Sequence, residues 1–415
     1  MRDGTRRTAT AVLAAMSVLA AAGGIAGCGS AKPKAPAAKP SAQSPTAGSQ
    51  GHYGRPTSTR LLNGRIQHVW IIELENTSFS HAYSHPSVDP ELASTLPAQG
   101  ALLENYYAVG HFSLDNYIAE VSGQAPDQQT GADCGTFWRF IPAGPPNQYG
   151  QLPGHGCVYP TSVPTIASQL TAAHLTWKAY EQQMGNVPAR DGTVQTPAGP
   201  ACGHPQLDVR DPTDLSKPAN DSYSTRHDPF MYFLGVIGNA RYCDAHVVSL
   251  KPLTADLRSV STTPNYSWIT PDTCSDGHDH ICHNGAHGGL RQINAFLHTW
   301  VPRIMASPAY RSSGLIIITT DESSSTDASA CCGEATIPAS HPNAAQPGQI
   351  GPGGGQVGAV LLSPFIRPGT VSTINYNHFS LLKSVEEIFG LPLLGDAQLP
   401  QVPAFGSDVF TGPNA

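Results

Sequence analysis

The stretch Gly314-Leu-Ile-Ile-Ile-Thr-Thr-Asp-Glu322 decides the reading of this chain. Leu315 to Ile318 is a short apolar run rich in β-branched residues, the pattern of a strand buried on both faces of a sheet. It ends abruptly in Asp321 and Glu322, followed by a serine cluster. In open α/β sheets, chemistry gathers outside the carboxyl ends of the strands, and two carboxylates there suit a divalent cation. A single Asp-Glu pair is more often a solvated strand end. The balance turns on a second stretch of the same design: His68-Val-Trp-Ile-Ile-Glu-Leu-Glu-Asn76 is again apolar and ends in two oxygen donors, Glu75 and Asn76.

Further strands are expected over Ala101–Leu103, Leu175–Tyr180, Asn265–Pro271 and Gln356–Ser363. Helices are expected over Leu114–Val121, Val163–Ala173, Leu253–Val260 and Phe379–Phe389, with another opening at Arg226–Phe233. Gly289 to Ala306 is the best amphipathic helix, since Ile293, Phe296, Leu297, Trp300, Val301 and Ile304 share one face. Strands alternating with helices predict an α/β fold, a three-layer sandwich with a mostly parallel central sheet. Pro126–Pro160 and Gly185–Tyr223 interrupt it as long loop-rich insertions, the second a candidate wall for a substrate pocket. Pro347–Gly355 is glycine-rich without a GxGxxG or Walker spacing, and reads as a turn with no phosphate role.

Three more clusters carry chemistry. Gly110-His-Phe-Ser113 precedes an expected helix; Ser113 there is either a plain N-cap or a group placed where helix amides favour an anion. Asp272-Thr-Cys-Ser-Asp-Gly-His-Asp-His280 packs acids and imidazoles at a strand exit. His378 opens the last helix, a position that suits a ligand, a proton donor or a structural histidine.

The chain has 415 residues, 40% of them apolar, which is ample for a core. Its formal charge is −7 with no basic stripe, so a nucleic-acid partner is not expected. Arg2, Arg6 and Arg7, the apolar run Ala11–Ile25 and the lipobox-like Ile25-Ala-Gly-Cys28 predict a signal peptide over residues 1–27 and lipidation at Cys28. Residues 28–60 then form a flexible Pro/Ala/Ser-rich tether, and residues 61–415 one catalytic domain, anchored to the outer face of a membrane without spanning it. Eight cysteines remain, an even number in an exported chain, so disulfides are the expectation. Cys274 with Cys282, and Cys134 with Cys157, are close enough to staple single loops, while Cys331-Cys332 pair with each other or with distant partners.

Taken together, Leu74-Glu-Asn-Thr-Ser-Phe79, Gly110-His-Phe-Ser113 with Asn116-Tyr-Ile-Ala119, Thr320-Asp-Glu322 and Asn377-His-Phe-Ser-Leu-Leu382 resemble the bacterial phosphoesterase family of acid phosphatases and phosphatidylcholine-type phospholipases C. The resemblance covers roughly residues 66 to 395 and implies an alkaline-phosphatase-like fold. It also implies Glu75, Asn76, Asp321 and Glu322 as metal ligands, with Ser113 as nucleophile and further ligand. His111, His278 and His378 are candidate catalytic imidazoles; Asn116, Asp276 and Asp279 are candidates for substrate or supporting contacts. One or two divalent ions are implied, with Mg²⁺, Ca²⁺, Mn²⁺ or Zn²⁺ open. The phospholipase motif Glu-Asn-Arg-Ser-Phe-Asp has Thr77 and Ser80 here in place of Arg and Asp, which favours hydrolysis of phosphomonoesters through a phosphoseryl intermediate. A phospholipase C and a non-catalytic ligand-binding lipoprotein are the alternatives.

Overall fold

The two acid-terminated stretches fold as neighbouring parallel strands at the centre of one sheet. The structure is a computed structural model and describes residues 61–324, 326–333 and 352–412. The leader, Cys28, the tether and the start of the glycine-rich run lie outside the described residues. The strands of this sheet are β1 (His68–Leu74), β2 (Ala101–Leu103), β3 (Trp177–Glu181), β4 (Val194–Thr196), β5 (Gly199–Ala201), β6 (Val247–Ser249), β7 (Tyr266–Thr270), β8 (Gly314–Thr320), β9 (Ala359–Leu362) and β10 (Thr370–Ser372). Their spatial order is β10-β2-β9-β8-β1-β7-β3-β6-β5-β4. The central strands β8-β1-β7-β3-β6 run parallel, while β9 and β5 run against them.

Alternation along the strands divides the core into two layers. Val69, Ile71, Leu315 and Ile317 meet helices α1 (Ser113–Ser122), α2 (Ile166–Ala172) and α5 (His378–Phe389) on one face. On the other face Trp70, Ile72, Leu74, Ile316 and Ile318 meet α3 (Leu290–Met305) and α4 (Pro308–Ser313). Every residue of β1 and β8 is buried. Each large aliphatic side chain removed from water there contributes about 1.5–3 kcal/mol, so the ends of these strands are held firmly. The stripe expected on the amphipathic helix is the buried face of α3, with Trp300 only partly covered. The α1 helix stops at Gly123 with φ +69°, where a Cβ would lie 2.5 Å from the Leu394 carbonyl oxygen.

The helix expected to open at Arg226 is instead two 3-10 turns, Thr225–His227 and Pro229–Tyr232. Pro229 forces the preceding Asp228 out of helical geometry (φ −109°, ψ 91°) and splits the segment. The helix expected over 253–260 ends already at Asp256. Disulfides join Cys134 to Cys157, Cys202 to Cys243, Cys274 to Cys282 and Cys331 to Cys332.

Candidate active site

Register builds the site. Leu74 pairs with Thr320, so Glu75 and Asp321 leave the sheet side by side. The Asp321 amide still donates to the Leu74 carbonyl (3.0 Å), and the Glu75 amide donates to the carbonyl of Asp276, in the loop after β7 (2.9 Å). Asn76 turns into the left-handed region (φ +51°), and its amide donates to Asp321 Oδ1 at 2.9 Å. Three acids from three chain segments thus converge on one point.

The N-terminus of α1 faces the same point. Ser113 Oγ donates to Glu75 Oε2 at 2.9 Å, and Tyr117, one turn later, donates to Oε1 at 2.6 Å. His227 completes the ring: its Nε2 lies 3.3 Å from Glu75 Oε1 and its Nδ1 3.3 Å from Asp276 Oδ2. The His227 ring stacks on Tyr117 with centroids 5.6 Å apart, which fixes its plane. Asp133 Oδ1 accepts the Leu114 amide (3.1 Å) and covers the first turn of α1.

Burial raises the pKa values of Glu75 and Asp276 well above the carboxylate range, helped for Glu75 by Asp321 and Asp276 and for Asp276 by Asp272, Asp321 and Asp279. Asp321 is pushed to about 8, first by burial and then by Glu322. Burial lowers the His227 pKa, with Arg226 adding to it, so the imidazole is neutral and in its ligating form. Among the described residues, Asp276 Oδ2 and Asp321 Oδ2 are buried without a hydrogen-bond partner. Such a set is costly as it stands and is relieved by a cation. Donor atoms of Glu75, His227 and Asp276 lie within 4.8 Å of one another, so the residues fit a divalent ion.

The other residues picked from sequence sort differently. Glu322 is not part of the Glu75, His227 and Asp276 group; its Oε2 accepts from His111 Nδ1 (2.6 Å) and from the Phe112 amide (3.2 Å). His111 also donates from Nε2 to the Asp327 carbonyl (2.8 Å); burial lowers its pKa, but Glu322, the Asp327 carbonyl and Asp321 together raise it above the ordinary value. Asn116 spends its amide on Val109, Gly110 and Phe112, folding the loop before Ser113, and reaches no open space. His378 is fully buried: Nε2 donates to the Asp321 carbonyl (2.7 Å) and Nδ1 pairs with Glu120 Oε1 (2.7 Å). With both nitrogens engaged behind the site, it is a bracket for Asp321, and the expected role as leaving-group acid does not fit. His278 does reach the rim. Its Nδ1 faces Asp279 Oδ1 (3.0 Å) and its Nε2 accepts from Arg226 Nη2 (3.2 Å). Asp279 is itself held by Thr273 and His283.

Sequence reading missed His227, Tyr117, Asp133, Arg226 and Glu120. The one local signal near His227 is Asp228-Pro229, which disfavours a helix running on through Asp228. Asn76 and Phe112 are exposed and Arg226, His278 and Asp133 half-buried, forming a rim above Ser113, which is 2% exposed.

The profile of the Phosphoesterase family matches residues 89–392. The chain is 24% identical over 335 residues to a phosphate-repressible acid phosphatase of Penicillium chrysogenum, covering 81% of this chain and 61% of that protein. It is also 24% identical over 336 residues to an acid phosphatase of Aspergillus fumigatus, covering 80% and 56%. These relatives are fungal, and the chain spans about three-fifths of their length. Among solved structures, a protein of the alkaline phosphatase superfamily from Vibrio parahaemolyticus is similar with a TM-score of 0.45 and 12% identity, over 83% of this chain and 72% of that one.

Proposed function

This chain belongs to the Phosphoesterase family, and from that premise we propose that it hydrolyses phosphoric monoesters with Ser113 as nucleophile. The observation that carries the reading is the 2.9 Å hydrogen bond from Ser113 Oγ, at the head of a ten-residue helix, to Glu75 in a buried set of acids. Acid phosphatases among the relatives support the same class of reaction.

Glu75, His227 and Asp276 would hold a divalent ion, with Asp321 and Asn76 adjoining. When bound, the ion supplies charge neutralisation for phosphoryl oxygens and acidifies the serine hydroxyl. One imidazole among oxygens admits Zn²⁺ or Mn²⁺ beside Mg²⁺. Ser113 Oγ passes its proton to Glu75 Oε2 and attacks phosphorus, forming a phosphoserine as the bond to the leaving oxygen breaks. The α1 dipole favours the charge that gathers there. His278, aimed by Asp279, gives the leaving alkoxide its proton from Nε2 once that nitrogen is released from Arg226 and protonated. Water then cleaves the phosphoserine, returning the hydroxyl and releasing inorganic phosphate. Glu322 and His111 keep the loop before Ser113 in place.

We further propose that the chain is exported and tethered through Cys28, a reading supported by the lipobox-like sequence and the disulfides.

Hydrolysis of p-nitrophenyl phosphate and p-nitrophenyl phosphorylcholine, with and without chelator and beside Ser113→Ala, tests the function. Monoester turnover that needs both the metal and Ser113 supports it. Turnover of the diester alone moves the chain to the phospholipase branch, and turnover of neither leaves the binding-lipoprotein reading.

A further inference from the structure

Two disulfide-anchored insertions meet at one guanidinium. Asp133, next to the Cys134–Cys157 bridge, has its Oδ2 3.7 Å from Arg226 Nε. Asp214, inside the segment closed by Cys202–Cys243, accepts from Arg226 Nη1 at 2.5 Å. Nη2 reaches His278 Nε2 (3.2 Å), and Nε reaches His227 Nε2 (3.3 Å). The other oxygen of Asp133 holds the Leu114 amide, and His227 touches Glu75. The guanidinium is therefore linked through one carboxylate to the turn that carries Ser113, and through one imidazole to the buried acids.

A second arginine in the same protein gives a contrast. Arg190 is 7% exposed and spends its donors on Asp191, Asp221 and the carbonyls of Ser216, Asp221 and Tyr223. That is an arginine of structure. Arg226 sits half-buried at the rim, and its contact with Asp133 is loose at 3.7 Å.

Acids dominate the floor, so a phosphate group needs a cation on its approach side. We propose that Arg226 is the phosphate-binding residue of this site, the fork of Nε and Nη2 taking two phosphoryl oxygens in place of the contacts with Asp133, His227 and His278. Asp133 and Asp214 hold it ready, which gives the disulfide-closed insertions a role in recognition. The proposal rests on the phosphatase reading and sharpens it: a fixed guanidinium favours the monoester dianion over a diester monoanion.

The test uses the metal-loaded protein, with inorganic phosphate as the probe. Phosphate dissociation constants by calorimetry, and KM and kcat for p-nitrophenyl phosphate and p-nitrophenyl phosphorylcholine, are compared for wild type, Arg226→Lys and Arg226→Ala. The alanine variant is expected to weaken phosphate binding and raise the monoester KM about 30-fold, with a smaller change in the diester. Lysine, which keeps charge without the fork, restores part of the loss. Should alanine not fold, the lysine variant alone still decides, since unchanged phosphate affinity there or in alanine overturns the proposal. Phosphate binding needs no turnover. A wild type without monoester activity, whose phosphate binding still depends on Arg226, sinks the phosphatase reading and keeps the arginine.

Discussion

Asp321 and Glu322 are sequence neighbours that serve different partners: Asp321 Oδ1 accepts the Asn76 amide at 2.9 Å, while Glu322 Oε2 accepts from His111 at 2.6 Å. The pair therefore divides into a residue of the ion pocket and a residue that orients the loop before the nucleophile. Asp321→Asn is expected to lose bound metal on dialysis, and nearly all activity with it. Glu322→Gln should keep the metal and lower kcat about 10–100-fold. Metal analysis of both variants checks this, and equal metal loss contradicts the division.

Phe112 stands just before Ser113 with φ +75° and ψ 143°, a region that suits glycine. Strain of this kind costs about 1–3 kcal/mol, and the exposed ring recovers little by burial. Its amide on Glu322 and its carbonyl on Asn116 hold it there. Phe112→Gly removes the strain but adds about 0.5–1 kcal/mol of unfolded-chain entropy. The net expectation is a gain of about 1 kcal/mol in urea unfolding. A variant less stable than wild type would show that the ring contributes more than its exposure implies.

Asp127 lies away from the ion pocket, and burial raises its pKa to about 6 against hydrogen bonds from Thr130 and Gln129. The unfolded value is about 3.9. The folded state binds this proton more tightly, so its contribution is complete below about pH 4 and is lost as pH rises through 6. The whole swing is on the order of 3 kcal/mol. Asp127→Asn keeps the acceptor for the Gln129 and Thr130 amides. It should be more stable than wild type at pH 7 and lose that advantage near pH 4. Parallel stability curves from pH 4 to 7 would rule this account out.

His378 and Glu120 are both fully buried and 2.7 Å apart. Removing one partner strands the other, at a cost of about 3–5 kcal/mol. His378→Gln is expected to fall by that amount in denaturant unfolding, and His378→Gln with Glu120→Gln to recover much of it. A double variant no better than the sum of the single ones argues against the pairing.

The centre of the sheet was legible because apolar β-branched runs that stop at acids are local signals: Leu315–Ile318 and Val69–Leu74 need no partner to be recognised. The mostly parallel sheet and its flanking helices followed from them. The short strands Val247–Ser249 and Thr370–Ser372 carry too few residues for any period to show. His227 reaches the site through packing on Tyr117, more than a hundred residues earlier, and no spacing rule joins them. Glu322 parts from Asp321 beyond the end of β8, where the chain bends at Asp321 and strand periodicity no longer applies. Asn76 turns through the left-handed region, so Glu75 and Asn76 both stay with Asp321.

Seven consecutive register pairs, from His68↔Gly314 to Leu74↔Thr320, lie directly behind Glu75 and Asp321. Their separation is thereby fixed like the jaws of a caliper, at the roughly 4.8 Å spacing of hydrogen-bonded strands. Asp133, Asp214 and Arg226 lie outside this ladder. Descendants of this chain that keep His227 are free to vary the loops around those residues, and with them the choice of ester, while the gauge between Glu75 and Asp321 stays the same.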